Sequence, residues 1–407
     1  MHSILLKSAD TNAHPLDIAS ASDLKRHLGD LDLSVDEVEK LTDTFLYCTI
    51  KLERIDTRAA AFMKSCLETL GGGIAMSRGA ADFTVRETDV IITGSRRTLQ
   101  LLAARLKGEP YGLDAVSGEI LSCTASGTRI MSWGTRTLDF TRTTYVMGIL
   151  NCTPDSFYPA SRAATIKEAL RSAREMVEAG VDILDVGGES TRPGSEPVPE
   201  EEEIRRVIPL IQALRAESDV LVSVDTRKAG VAERALDAGA DIINDISGLR
   251  HGEELARLVA RRRVPIVLMH MRGTPKTMQK SPHYQNTISE VLRELQQSVA
   301  TAIGAGIAPE MIIVDPGIGF GKRMQDNLRI IRELASLKSL AFPILVGLSR
   351  KSFIGEILDR PVEKRLIGTV TANTLAILNG ANIIRVHDVP DAVEMVKIID
   401  SIRRIGA

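Results

Sequence analysis

Eight short apolar runs, rich in β-branched residues, recur along this 407-residue chain after residue 125. Polar loop residues and then a helical pattern separate each run from the next one. Near-continuous apolar runs are typical of parallel strands that are buried on both faces. Eight such units in succession favour a closed (β/α)8 barrel, the TIM barrel, over an open doubly wound sheet. The runs end at Asn151, Gly188, Thr226, Ser247, His270, Gly317, Ser349 and Asp388.

The segments between and before the runs support this α/β class. TIKEALRSAREMVEAG places its apolar residues on one helical face and predicts a helix that ends at Gly180. RIMSWGTRTLDF, before the first run, alternates apolar and polar residues around Gly134. We expect this segment to form a β-hairpin that covers the bottom of the barrel.

The chain divides near residue 125, in the small-residue stretch SCTASGT. Residues 126–407 are predicted to form the barrel, and residues 1–125 a small separate α/β domain of unknown role. In that domain, FLYCTIKLERI and TDVIITG read as strands, whereas TRAAAFMKSCLETL and SRRTLQLLAARLKG read as helices. The three glycines at 71–73 indicate a helix end and a turn rather than a phosphate-binding loop.

Composition limits the classes of partner. The chain has 51 basic and 53 acidic side chains, so no global field favours nucleic acid or a membrane surface. An anionic substrate therefore requires a local cluster of cations. The 4 cysteines form no CxxC pair and indicate free thiols in a reducing compartment. Without a signal-peptide pattern or a membrane-length apolar run, we expect a soluble, cytoplasmic protein.

Polar residues follow or end nearly every run. In a barrel of this type the C-terminal ends of the strands carry the active site, and core packing does not call for such residues there. We therefore predict that these residues meet in one pocket. They are Asn151, Asp185, Glu189, Thr191, Arg192, Asp225, Asn244, His270, Asp315, Lys351, Arg385 and His387.

Two kinds of side chain stand out in this set. Arg192, Arg385 and His387 are donors suited to phosphate oxygens. A second group, Asp225, Asn244 and Asp315 with Lys351, suits a nitrogen heterocycle that offers N–H and amino donors. An anion site beside a heterocycle site indicates a phosphorylated, purine- or pterin-like ligand.

Two other motifs resemble a phosphate-binding loop and a zinc site, but each lacks residues or spacing that such a site requires. DPGIGFGKR resembles a phosphate-binding P-loop, but Pro316 replaces its first glycine and Arg323 its Ser/Thr. Its glycines are better explained by a tight backbone turn over a ligand beside Asp315. His270 and His283 lack the spacing of zinc ligands, so we expect no catalytic zinc.

Eight motifs, taken together, resemble the dihydropteroate synthase family over residues 128–407. They occur in the order and on the strands expected for that family, which makes the set far more specific than any one of them. The motifs are NCTPDSF (151–157), GGESTRPGS (187–195), SVDTRK (223–228), NDISG (244–248), LMHMRGTPKTMQ (268–279), DPGIGFGK (315–322), GLSRKSFIG (347–355) and RVHDV (385–389).

The resemblance implies a transferase of folate biosynthesis that joins a dihydropterin to p-aminobenzoate with release of pyrophosphate, and that sulfonamides inhibit. It implies that Asp225, Asp315 and Lys351 are catalytic and that, with Asn244, they bind the pterin. It assigns pyrophosphate to Arg192, Arg385 and His387, and Mg²⁺ to Asn151. It places p-aminobenzoate among Phe157, Thr191, Pro193, Phe320 and Ser352. It also implies a homodimer.

The segment after Phe157 departs from the family pattern. Members often continue with a Ser-Asp-Gly-Gly type of loop, whereas this chain reads YPASRAA. Three alternatives remain at this point: a related corrinoid-dependent methyltransferase, a Schiff-base aldolase using Lys351, and a pterin-binding protein without turnover. The STRPG motif and Ser349–Ser352 argue against the methyltransferase, because it needs no pyrophosphate site.

Overall fold

The computed structural model describes residues 21–29, 31–124, 130–141, 143–152, 159–190, 195–250, 252–274, 276–278 and 281–404. These residues form two compact units, of which the first ends at Thr124 and the second at Arg404. Within the described part of the chain, no helix is both long and apolar enough to cross a membrane.

The first unit is a small α/β structure. Its elements are α1 Ala21–Gly29, α2 Val35–Phe45, β1 Tyr47–Asp56, α3 Thr57–Leu70, β2 Gly73–Met76, α4 Arg78–Ala81, β3 Glu87–Ser95, α5 Arg96–Leu106 and α6 Leu113–Thr124. The strands form an antiparallel sheet in the order β1-β3-β2. The predicted helix and strand segments all appear, and Gly71 closes α3 in a left-handed conformation (φ 74°). The third strand, β2, begins within the glycine triplet and was not predicted.

The second unit opens with a hairpin and contains the predicted barrel. The hairpin is β4 Ile130–Trp133 and β5 Arg136–Asp139. The barrel strands are β6 Tyr145–Asn151, β7 Ile183–Gly187, β8 Leu221–Asp225, β9 Ile242–Asp245, β10 Ile266–Met269, β11 Ile312–Asp315, β12 Leu345–Gly347 and β13 Ile383–Val386. The helices are α7 Pro159–Ala179, α8 Glu200–Glu217, α9 Ala229–Asp237, α10 Glu253–Arg262, α11 Thr287–Gly304, α12 Met324–Arg332, α13 Ser352–Leu358, α14 Leu366–Leu378 and α15 Val389–Arg403.

All eight strands run parallel, in the order β11-β10-β9-β8-β7-β6-β13-β12. A parallel bridge between Val314 and Ile344 joins the two ends of this sheet and closes the barrel. The predicted runs are thus confirmed as strands, and most of them end one or two residues earlier than the sequence pattern suggests. The polar residues after each strand consequently meet at one rim.

The hairpin contributes to the lower barrel core. Met131 and Leu138 are buried with Met147 and Ile383, in a cluster of side chains from the N-terminal parts of the strands. A second and larger cluster lies between the strands and the surrounding helices. The hairpin therefore covers the bottom of the barrel, as the sequence predicts, and the C-terminal rim remains available for a site.

Candidate active site

The rims of β7, β8, β9 and β13 bring four polar side chains into direct contact. Arg385 donates from Nε to Asp185 Oδ2 over 2.6 Å and from Nη2 to Asp225 Oδ2 over 2.8 Å. Asn244 donates from Nδ2 to the same Asp185 oxygen over 3.0 Å. Asp185 is completely buried, and its other oxygen, Oδ1, has no hydrogen-bond partner among the described residues. The sequence assigns no particular role to Asp185 within the predicted pocket, whereas in the structure this residue is the centre of the network.

Burial controls the charge of Asp225. Loss of solvent raises the pKa of its carboxyl to about 7. Arg385 opposes this rise, whereas the nearby carboxylates of Asp185, Glu203 and Asp245 add to it. Perturbed carboxyl groups of this kind cluster at functional sites. Asp225 can therefore exchange a proton close to neutral pH.

Asp315 and Lys351 form the opposite side of the rim. Asp315 ends β11, and its Oδ1 accepts a hydrogen bond of 2.7 Å from the Gly317 N–H. Burial raises the pKa of Asp315, and the positive charge of Lys351 opposes that rise. Burial likewise lowers the pKa of Lys351 to about 8, against the effect of Asp315. Lys351 Nζ donates to the Ile318 carbonyl.

A strained turn presents Lys351. The preceding residue, Arg350, has a left-handed backbone with φ 55°, which is unfavourable for a residue other than glycine. Its guanidinium binds both Asp388 oxygens, at 2.8 and 2.5 Å, and its N–H donates to Thr369 Oγ1. Arg365 holds the Arg350 carbonyl over 3.0 Å. These contacts fix a backbone conformation that would otherwise relax.

A methionine-rich apolar patch lies beside these polar groups, and the sequence alone does not reveal it. Ile246, Met269, Met271 and Met278 are buried together, and the half-buried Phe320 packs against them. Methionine is long and polarisable, so it adapts to the face of a flat ring. The patch supplies the apolar surface that a ligand pocket needs beside a few oriented polar groups. Apolar residues in loops carry no periodic signal, which is why the sequence did not reveal them.

The groups predicted for the anionic part of the ligand are more open. His387 is exposed, and its Nδ1 lies 3.0 Å from Ser349 Oγ. The Arg385 side chain keeps 20% of its surface exposed. Ser352, which is predicted to contact p-aminobenzoate, begins α13 and is exposed as well. Four other residues predicted to contact pyrophosphate or p-aminobenzoate lie outside the described residues: Phe157, Thr191, Arg192 and Pro193.

Asn151 is the predicted metal ligand. It is exposed at the end of β6, opposite Gly187 of β7. The described part of the chain contains no group of three or more His, Cys, Asp or Glu side chains placed to hold a metal. A single amide oxygen suits Mg²⁺, which keeps several waters and takes further oxygens from a phosphorylated substrate. The residues present therefore fit magnesium bound mainly through the substrate.

Two further polar clusters support the rim. Lys228 Nζ donates to Glu189 Oε2 and to the Val198 carbonyl, each over 2.6 Å, and also contacts the buried Glu203. Glu189, which the sequence places in the pocket, thus contacts Lys228 and the Val198 N–H. In the second cluster, Lys322 Nζ lies 2.8 Å from His270 Nδ1.

The segment that departs from the family pattern is partly helical. Helix α7 begins at Pro159, so that Pro159–Ala164 belong to its first turns. Proline at a helix start is favoured, because its fixed φ suits the helix and the first N–H groups have no partner there. The alanines that follow are strong helix formers. From Pro159 onward, the segment that departs from the family pattern is therefore part of the first barrel helix.

Comparison with known proteins gives one family for the barrel. Residues 147–387 match the family model described as pterin binding enzyme. The chain is 47% identical over 279 residues to a dihydropteroate synthase of Synechocystis. This alignment covers 68% of this chain and 94% of that protein. A probable bifunctional folylpolyglutamate synthase/dihydropteroate synthase of Haloferax volcanii is 40% identical over 357 residues, or 85% of this chain and 42% of its own length.

Solved structures agree with these sequence matches. A Yersinia pestis dihydropteroate synthase in a sulfonamide drug complex superposes with a TM-score of 0.64 and 42% identity, over 67% of this chain and 99% of that one. The Xanthomonas albilineans enzyme with 4-aminobenzoic acid gives a TM-score of 0.63 at 42% identity, over 68% and 99% of the two chains. The similarity therefore extends over the length of the barrel.

Proposed function

The chain belongs to the dihydropteroate synthase family of pterin-binding enzymes, and we propose that its rim residues divide that reaction among three subsites. The reaction transfers the dihydropterin-methyl group of 6-hydroxymethyl-7,8-dihydropterin pyrophosphate to p-aminobenzoate, and pyrophosphate leaves. The observation that carries the assignment of residues is the hydrogen-bonded group of Asp185, Asp225, Asn244 and Arg385 at one rim.

The pterin subsite comprises Asp225, Asn244, Asp315 and Lys351. Asn244 uses its amide N–H on Asp185, so its carbonyl Oδ1 remains to accept from a ring N–H or amino group. The two aspartates supply further acceptors, and Lys351 supplies donors from the other edge. The methionine-rich patch beside them covers a face of the ring. This pattern of acceptors matches the amino-pyrimidinone edge of a pterin.

The pyrophosphate subsite comprises Arg385 and His387, together with Arg192. Arg385 has five N–H donors, and two of them are used on Asp185 and Asp225. The others have no acceptor among the described residues, so they can donate to phosphate oxygens, which form charge-assisted hydrogen bonds with guanidinium. Asn151 would hold Mg²⁺ with its amide oxygen. When bound, that ion neutralises charge on the leaving group.

The chemical step needs positioning and electrostatics rather than a covalent enzyme intermediate. The bond between the pterin methylene and the pyrophosphate oxygen breaks, and its electron pair leaves with pyrophosphate. The positive charge that develops on the methylene spreads into the ring, where the carboxylates of Asp225 and Asp315 stabilise it. The arylamine nitrogen of p-aminobenzoate then forms the new C–N bond and loses a proton.

The p-aminobenzoate subsite comprises Phe320 and Ser352, with Phe157, Thr191 and Pro193. The Lys351 ammonium lies 4.7 Å from the centroid of the Phe320 ring, so the pterin and p-aminobenzoate subsites adjoin there. Sulfonamides present the same arylamine to this subsite and are expected to compete with p-aminobenzoate. Inhibition that excess p-aminobenzoate does not relieve would count against the subsite.

A homodimer accounts for an unusual helix. Helix α14 contains no charged residue, and Ile367, Leu375 and Leu378 are 80%, 50% and 61% exposed. Ile357 and Leu358, at the end of the adjoining α13, are also exposed. An apolar patch of this kind marks a protein interface, and two-fold self-association is the commonest solution in soluble proteins.

The free cysteines fit a cytoplasmic location.

Calorimetry with 6-hydroxymethylpterin tests the pterin subsite without turnover. Asp315→Asn and Asn244→Ala should each weaken binding by about 10-fold or more, because each removes a hydrogen bond to the ring. Asp182→Asn is the matched control. Asp182 precedes the N-terminal end of β7, away from the C-terminal rim, and accepts a hydrogen bond from the Val146 N–H. Wild-type affinity in both subsite variants would overturn this assignment.

A further inference from the structure

Lys322 lies in a site with one acceptor for each of its three ammonium protons. Its Nζ is 2.8 Å from His270 Nδ1, 3.1 Å from the Phe320 carbonyl and 3.4 Å from the His270 carbonyl. The residue is only 3% exposed. Burial lowers the pKa of Lys322, and the nearby carboxylate of Asp315 opposes that change. A buried amine with all of its donors paired is a specific structural feature, because unpaired it would be costly.

The contacts of His270 determine its tautomer. Its Nε2 lies 3.0 Å from Glu294 Oε2, and the pKa of Glu294 is lowered to about 2, so that this carboxylate is ionised. Burial and the positive charge of Lys322 lower the pKa of His270 to about 3, so the ring is neutral. An ionised carboxylate requires a donor, so the proton is on Nε2 and Nδ1 accepts from Lys322. Lys322, His270 and Glu294 therefore form one oriented chain of hydrogen bonds.

These hydrogen bonds hold the glycine-rich loop, residues 317–322, against the end of β10. A Cβ atom on Gly317 would lie 1.9 Å from the His270 carbonyl oxygen, and one on Gly321 would lie 2.5 Å from that of Arg272. The two backbone segments are thus as close as glycine permits. Tyr284 Oη also donates to the Gly321 carbonyl over 2.9 Å.

The loop in turn contacts the reactive part of the site. Lys351 Nζ donates to the Ile318 carbonyl and lies over the Phe320 ring. The Phe320 carbonyl is one of the three acceptors of Lys322. Phe320 thus links Lys322 to Lys351, whose side chain adjoins both the pterin and the p-aminobenzoate subsites.

We propose that Lys322 is a positioning residue for the transferase reaction, which acts with His270 and Glu294 by fixing the loop that places Phe320 and Lys351. The proposal rests on the subsites assigned above. Lys322 is the lysine of the DPGIGFGK motif, and in this role it binds protein acceptors rather than phosphate. The ammonium is buried and its three protons are paired with protein acceptors, so it acts through Phe320 and Lys351 rather than on substrate.

The test compares Lys322→Met with Lys338→Met in the full chain. Lys338 lies against Gly380, before β13, and the same substitution there removes an equal charge away from the C-terminal rim. Lys322→Met should lower kcat about 100-fold and raise KM for p-aminobenzoate, because small misplacements of reacting groups have effects of that size. Calorimetric affinity for 6-hydroxymethylpterin should fall by no more than about 10-fold, since only the hydrogen bond from Lys351 is weakened and the strand-borne acceptor Asn244 is not displaced. Lys338→Met should match the wild type.

A spectroscopic measurement keeps the proposal testable even if Lys322→Met does not fold. Nitrogen NMR of the labelled wild-type protein should show His270 as the neutral Nε2–H tautomer at neutral pH. In a folded Lys322→Met variant its pKa should rise. A protonated or Nδ1–H His270 in the wild type would overturn the proposal, and so would a folded Lys322→Met variant with wild-type kcat and KM. Failure of the wild-type chain itself to turn over would instead contradict the assigned function.

Discussion

Arg385 reaches from β13 to β7, and its Nε lies 2.6 Å from Oδ2 of the fully buried Asp185. The same guanidinium also binds Asp225, so one cation is shared by two carboxylates at the rim. Arg385 is therefore held in place before any substrate binds. This preorganisation lets its remaining N–H groups meet the pyrophosphate without a large loss of side-chain entropy.

Arg385→Ala should weaken pyrophosphate-bearing ligands far more than the bare pterin. The variant loses a charge-assisted contact worth roughly 1.5–3 kcal/mol, or about 10- to 100-fold in affinity. Calorimetry with 6-hydroxymethylpterin and with its pyrophosphate measures the difference. Equal losses for the two ligands would show that Arg385 supports the pterin subsite alone and does not bind pyrophosphate.

The reaction should have a bell-shaped dependence on pH. Asp225 must be ionised to accept from the pterin, and its pKa of about 7 makes kcat/KM fall as the pH decreases below that value. Lys351 must be protonated to donate, and its pKa of about 8 makes kcat/KM fall at higher pH.

Lys351→Arg separates the two limbs of that profile. An arginine keeps its proton at every accessible pH, so the alkaline limb should disappear while the acid limb stays. The measurement is kcat/KM for dihydropterin pyrophosphate across the neutral range for both proteins. An alkaline limb that persists unchanged in the variant would assign that titration to another group.

Ile367→Glu should convert the proposed dimer into monomers. Ile367 is 80% exposed on the uncharged helix α14, and a carboxylate there would be buried and unpaired in a two-fold interface. Sedimentation velocity should show a dimer for the wild type and a monomer for the variant. Glu394→Gln on α15 serves as a surface control. A monomeric wild type, or a dimeric variant, would exclude this helix as the interface.

The barrel alone is expected to retain the reaction. Its eight strands and its hairpin all lie after residue 125, so a protein of residues 126–407 contains the whole proposed site. We propose that the first unit supports assembly, solubility or regulation. The Haloferax relative, which matches 85% of this chain, shares part of that unit. If the truncated protein is folded by circular dichroism and binds pterin but loses turnover by orders of magnitude, then the first unit completes the site.

The strands and most of the polar rim follow from the sequence, for a physical reason. A parallel barrel buries both faces of each strand, so Ile183–Gly187 and its counterparts appear as unbroken apolar runs, and the residues after them must share one rim. Asp225, Asn244, Asp315, Lys351 and Arg385 could therefore be named as one site. Local patterns also predict the end of α3 at Gly71.

The remaining features depend on contacts between distant segments. Arg385 and Asp185 are 200 positions apart, and no local pattern tells which carboxylate meets which cation. The pairing of Lys322 with His270 across the loop is invisible for the same reason. Ile246, Met271 and Met278 of the methionine-rich patch lie in loops, where apolar residues have no period. Strand β2 begins at Gly73, and glycine is a poor strand former that reads as a turn.

The transferase activity can be measured by incubating the purified full chain with 6-hydroxymethyl-7,8-dihydropterin pyrophosphate, p-aminobenzoate and Mg²⁺, and quantifying 7,8-dihydropteroate and pyrophosphate together. We expect both products to form in equal amounts, and no dihydropteroate to form without p-aminobenzoate. Asp315→Asn should abolish most of this turnover in a folded protein. A folded wild-type chain that makes no dihydropteroate from both substrates would show that this chain does not catalyse the reaction.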